Sequence, residues 1–71
     1  MRLNVIVPST ENARGHLAAI QGTIGWPDVV EAGPGVKTLG YAVDGATAPA
    51  MLAAVRDLDL PDVVIGLEVR S

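Results

Sequence analysis

Cysteine is missing from this 71-residue chain, and so is phenylalanine. Without cysteine there is no disulfide framework and no thiolate metal site. A single histidine, His16, excludes a histidine-rich metal cluster. One tryptophan, Trp26, and one tyrosine, Tyr41, are the only aromatic side chains, so any core must be built from Val, Ile, Leu and Ala. Basic residues are also few: five against eight acidic ones, for a formal net charge of −3. Unaided nucleic-acid binding needs a cationic surface to displace counterions, and this balance argues against it. The acidity is too slight for a nucleic-acid mimic. No run of like charge or low-complexity tract is present. The apolar runs are far too short to span a bilayer, and the N-terminus carries no signal-peptide pattern, so a cytoplasmic location is the default expectation. The Ala-, Val- and Gly-rich, Lys-poor composition hints at a GC-rich bacterial or phage genome.

What is present is a sentence said twice. Pro27-Asp28-Val29-Val30 returns as Pro61-Asp62-Val63-Val64, and Leu17-Ala18-Ala19-Ile20 returns as Leu52-Ala53-Ala54-Val55. Each half opens with a strand-like alternation, Leu3 to Val7 and Leu39 to Val43. Each passes a polar turn, Pro8 to Asn12 and Asp44 to Thr47. Apolar residues then recur at helical spacing: Ala13, Leu17, Ile20 and Ile24, and Ala48, Leu52, Val55 and Leu58. Pro-Asp stops each helix, and a strand follows, Val29 to Ala32 and Val63 to Val69. Gly33-Pro34-Gly35 supplies the turn between halves.

The unit is strand–helix–strand, used twice. The expected fold is a single α+β domain over residues 1–71, with pseudo-repeat halves of about 1–33 and 36–71. The order βαββαβ is the ferredoxin-like arrangement: a four-stranded antiparallel sheet in order 4-1-3-2 with both helices on one face. Ser9 or Thr10 is expected to cap the first helix, and Thr47 the second, with Pro49 in its first turn. Gly15 and Gly22 weaken the first helix, so it is expected to end early and leave Gly22 to Trp26 as a loop. Leu3, Val5, Val7, Leu39, Tyr41, Val43, Val63, Ile65, Leu67 and Val69 should face the helices, with Val5 and Ile65 fully buried. The opposite face, with Asn4, Ile6, Thr38, Gly40, Ala42, Val64, Gly66 and Glu68, is small, flat and only partly polar.

Catalytic chemistry is hard to find. Nucleophilic catalysis needs a nucleophile, a base and an orienting group. Ser9 reads as a helix cap and His16 as a partly exposed helix residue, and no spacing makes them partners. The carboxylates, Asp28, Asp44, Asp57, Asp59 and Asp62 among them, fit turn and cap positions. Gly33 to Thr38 (GPGVKT) lacks the GxxxxGK[ST] spacing of a phosphate loop and leads into a strand. Trp26 reads as a lid over the edge of the core. Base-stacking aromatics on the central strands, needed by RNA-recognition modules, are absent, and so is the CxxC of metallochaperones.

The stretch VIVPSTENARGHLAAI, with polar turn Ser9 to Asn12 followed by Gly15 to Ile20, resembles the opening of ACT-type regulatory domains. MLAAVRDLDLPDVVIGLEV resembles their closing helix and strand. Arg14 stands where that family favours proline. The resemblance implies small-ligand binding at the turn between the first strand and first helix, carried here by Asn12 and Gly15.

The function expected from all this is a small non-catalytic regulatory or ligand-binding module acting through self-association, without cofactor or metal. The alternative is a standalone protein-interaction factor, such as a phage- or host-encoded inhibitor or assembly protein. A small dimeric enzyme ranks behind both, because convergent catalytic groups are missing. The expected interface comprises Ile6, Ala42, Val64, Gly66 and Glu68, next to a last strand whose ends alone are guarded, by Asp62 and Arg70. The second strand is expected to be the better protected edge, because it ends at Pro34.

Overall fold

The computed structural model describes residues 1–69. Arg70 therefore lies outside the described residues. Six elements follow one another: β1 (Arg2–Pro8), α1 (Ala13–Ile24), β2 (Val29–Gly33), β3 (Val36–Ala42), α2 (Ala48–Asp57) and β4 (Val64–Glu68). The strands form one antiparallel sheet in order β2-β3-β1-β4. That is the expected order 4-1-3-2 read from the other edge, and with the element sequence βαββαβ it is a ferredoxin-like α+β fold.

Alternation along β1 separates the two sides of the sheet. Leu3, Val5 and Val7 are buried, whereas Arg2, Asn4, Ile6 and Pro8 are half-buried. Cross-strand pairing carries this division outward, with Val5 opposite Leu39 and Ile65, and Leu3 opposite Tyr41 and Leu67. On the buried side Ile20 of α1 and Ala48 and Val55 of α2 complete the core with Leu39, Tyr41 and Val43. Leu17, Ile24, Met51, Leu52, Leu58 and Ile65 pack around it, half-buried. Both helices thus cover one face, and the other is left open.

Several local expectations are corrected. Helix α1 does not stop before Gly22; it runs to Ile24, where Gly25 takes a left-handed φ of 84° and donates its N–H to Gln21 O at 3.0 Å. Packing of Ile20, Ile24 and Leu17 outweighs the propensity cost of two glycines, as tertiary context often does. The residue at the N-cap of α1 is Asn12, not Ser9 or Thr10, and it makes no side-chain capping bond. Thr10 Oγ1 accepts instead from Asn12 N, at 3.4 Å. Thr47 does stand at the N-cap of α2, with Pro49 in the first turn, but it makes no side-chain capping bond, and Asp44 braces the turn before the helix. Asp44 Oδ1 accepts from Ala46 N at 3.0 Å, Thr47 N at 2.8 Å and Thr47 Oγ1 at 3.0 Å.

The strand boundaries also move. β3 begins at Val36 rather than Leu39, because the turn is only Pro34-Gly35, with Gly33 paired to Val36 and Gly35 at φ 74°. Proline followed by a residue at positive φ suits a type II turn. Pro34 therefore lies outside β2 and blunts none of its ladder. β4 is shorter than expected, and both edge strands have five residues. Ile65 is half-buried rather than fully buried, and Leu67 and Val69 are 41% and 72% exposed. The helices sit over the central strands, so the far end of β4 projects beyond their cover.

Candidate functional site

The open face of the sheet is ordered in rows by its register. One row crosses from β2 to β4 as Glu31, Thr38, Ile6 and Val64. The next reads Val29, Gly40, Asn4 and Gly66, and the third Ala42, Arg2 and Glu68. Glycine at both flanks of Asn4 makes the middle row low. The five residues expected to form an interface, Ile6, Ala42, Val64, Gly66 and Glu68, all lie on this face. Ile6 and Val64 are direct cross-strand neighbours, and Val64 is 57% exposed.

Polar contacts on this face are paired along diagonals. Asn4 Nδ2 donates to Glu68 Oε1 at 2.8 Å. Arg2 turns away from Glu68, its neighbour across the β1–β4 pair, and lies over Gly40, reaching Glu31 Oε1 from Nη2 at 3.4 Å. At that length and exposure the Arg2–Glu31 pair is a weak tether. Among the described residues, Arg2 Nε and Asn4 Oδ1 are buried without a hydrogen-bonding partner. Next to Arg2 is a depression of about 310 Å³, lined by Met1, Arg2, Asp28, Val29, Gly40, Tyr41 and Ala42. Asp28 Oδ2 accepts from Ala42 N there, at 2.7 Å, and Asp28 N donates to Gly40 O at 2.9 Å. Asp28 thus stitches the start of β2 to β3.

Tyr41 lies at the boundary of this depression and the core. Its hydroxyl donates to Gly25 O at 2.9 Å, which anchors the end of α1 to the sheet. Burial raises its pKa above the usual phenol value, and the charge of Asp28 adds to the shift. Asp44 moves the other way: the hydrogen bonds from Thr47 and Ala46 hold its carboxyl below the usual carboxylate range.

Asn12 and Gly15, named by the ACT resemblance, lie together at the start of α1 and are both exposed. Asn12 O accepts from His16 N at 3.1 Å. Neither residue lines the depression beside Arg2, nor a second one of about 170 Å³ between Val55, Arg56, Asp59, Leu60, Val63 and Ile65. Trp26 is no lid. It is 80% exposed in the loop before β2, close in sequence to the exposed Val29 and Val30. Gly25, at positive φ, precedes it, and Pro27, half-buried, follows.

No group of three or more His, Cys, Asp or Glu side chains suited to a metal ion occurs among the described residues. No helix among them is long and apolar enough to cross a membrane. Ser9 is exposed and His16 half-buried. Sequence reasoning missed the Asp28–Ala42 bond and the seating of Arg2 on Gly40. Both depend on residues that only the sheet register brings together. Comparison with known proteins leaves the fold to stand on this geometry: no family model matches the chain, and no curated protein or solved structure matches it either.

Proposed function

We propose that this chain is a small non-catalytic regulatory module that works through self-association, using the edge of β4 and the adjoining open face. The observation that carries this reading is the far end of β4. Among the described residues its outer backbone edge is unpaired, and Leu67 and, just past the strand, Val69 are exposed there, as Val64 is at the strand's start, on both sides of the sheet. An edge strand that is neither charged along its length nor interrupted by proline is a template for another strand. Around it Ile6, Ala42, Gly66 and Glu68 supply a flat margin. In the ACT-like form of this reading, a small ligand binds at the β1–α1 turn. The exposure of Asn12 and Gly15 is compatible with that.

A second reading, a factor that docks on a different protein, is favoured by the other edge. All five residues of β2 are exposed, and Trp26 stands beside them. Exposed tryptophans are frequent anchors of protein interfaces. Sedimentation over a wide concentration range separates the two. Self-association that weakens when negative charge is placed on β4 supports the first. A strict monomer would discard it and leave the second, to be examined with Trp26→Ala.

A further inference from the structure

We propose that two copies of this chain join β4 to β4 in antiparallel register, about a two-fold axis passing between their Gly66 residues. The inference rests on the self-association reading above and adds to it the register and the symmetry. The product is one continuous sheet of twice four strands, with the helices of both copies on the same face.

The choice of edge follows from what each strand would place at its centre. β2 and β4 both have five residues, with Glu31 and Gly66 in the middle positions. Centred self-pairing of β2 sets Glu31 directly against Glu31 of the other copy; each has only the 3.4 Å exposed pair with Arg2 to offset its charge, and like charges opposite each other are destabilising. Centred self-pairing of β4 sets glycine against glycine. Pairing β4 of one copy with β2 of the next is head-to-tail and leads to a ring or a filament, whereas the β4 pair closes as an isologous dimer.

The register also accounts for side chains the single chain leaves unexplained. On the helix side Leu67 falls opposite Ile65 of the other copy, and Val69 opposite its Val63. Ile65 and Val63 already pack against the core. Leu67 and Val69 follow the buried alternation of the sheet yet are exposed, so the pairing gives them the apolar neighbours their positions call for. On the open side Glu68 falls opposite Val64, not another carboxylate, and its own charge is already engaged by Asn4 Nδ2. Gly66 itself has no intrachain reason to be glycine: its φ is not positive, and a Cβ there would meet nothing within 4 Å. At the axis it leaves no pair of identical side chains facing each other.

The absence of cysteine makes the register directly testable. Under mild oxidation Gly66→Cys is expected to form a covalent dimer. Val64→Cys and Glu68→Cys should each cross-link poorly alone and readily when mixed. A charge series checks the same pairing without a cross-link. Val64→Glu faces Glu68 twice per dimer and should weaken association roughly tenfold. Adding Glu68→Lys should restore it, and Val64→Lys should leave it intact, with circular dichroism confirming that each variant folds. A dimer in which Val64→Cys links to itself, or Gly66→Cys does not link, overturns the register while self-association stands. Equal weakening by Val64→Lys and Val64→Glu overturns it too and points to docking through the open face. A wild-type chain that sediments as a monomer at every concentration removes both the register and the reading beneath it.

Discussion

The guanidinium of Arg2 rests on the bare backbone of Gly40: a Cβ at that glycine would stand 2.7 Å from Arg2 Nε and 2.8 Å from Nη2. The two residues lie on neighbouring strands, β1 and β3, in rows one step apart. Glycine here answers to a side chain laid across it rather than to a turn. The contact hides Arg2 Nε from solvent.

Gly40→Ala should therefore lift Arg2 off the sheet, since the far end of the side chain yields more easily than the strand. Stability should change by no more than about 1 kcal/mol, because strand glycine is itself unfavourable. The readout is solvent exchange of the Arg2 Nε–H by NMR, slow in the parent chain and fast in the variant. Unchanged exchange would show that the guanidinium does not lie on Gly40.

Burial sets a ranking within the core. Ile20 is fully buried, so Ile20→Ala should cost about 2–5 kcal/mol in denaturant unfolding. Ile65, half-buried on the edge strand, should lose clearly less in the dilute monomer. An Ile65→Ala loss equal to that of Ile20→Ala would place β4 deeper under the helices than it is.

Asp44 predicts an acid-dependent stability. Its folded pKa lies below the usual value because Thr47 and Ala46 donate to its carboxylate. That contribution is present above the carboxylate range and is lost as the pH falls through the depressed folded value. Asp44→Ala should lower the melting temperature near neutral pH, with the gap to the parent chain closing in acid. Asp44→Asn keeps an acceptor without the titration, so its gap should depend less on pH. A gap for Asp44→Ala that stays constant down to strong acid would count against the carboxylate's role in bracing this turn.

Tyr41 predicts the opposite limb. Its folded pKa is raised, chiefly by burial and secondarily by Asp28, so the neutral phenol contributes stability below the ordinary value near 10. That contribution is lost as the pH rises through the higher folded value. Tyr41→Phe removes the bond to Gly25 O and should cost about 0.5–1.5 kcal/mol at neutral pH. Alkaline titration followed by tyrosine absorbance should give a higher midpoint for the folded chain than for the denatured one. Coincident midpoints would refute the burial of the ring.

The doubled words LAA[IV] and PDVV carry the order of elements, because the first names a helix face and the second the entry to a strand, although the helices end before Pro-Asp, at Ile24 and Asp57. They do not carry the facing of the strands that follow. Seven positions separate Ile20 from Pro27, but six separate Val55 from Pro61. Val29 accordingly lies on the open face, opposite Gly40, while its counterpart Val63 packs toward the core. A shift of one residue moves every side chain of a strand to the other side. Asp62, at φ 66°, and Asp59, at φ 49°, turn the shorter connection, whereas Asp28 is spent on Ala42 N. Identical words thus hold different jobs.

Composition, spacing and alternation by themselves determined the strand–helix–strand unit, its duplication, the apolar stripe of each helix and the two-sided character of β1. These depend on neighbours within a few residues along the chain, where helical and strand periods act. Only the tertiary structure decided how far the helix layer reaches. It covers β1 and β3 and stops short of the end of β4, so Leu67 and Val69 keep the alternation of buried residues without the burial. It also decided that Asp44 braces the turn before α2 while Thr47 makes no side-chain capping bond, and that Trp26 points outward while Tyr41 closes the core. Coverage and hydrogen-bond choice depend on residues brought together from distant parts of the chain, and periodicity carries no record of where a neighbouring layer ends.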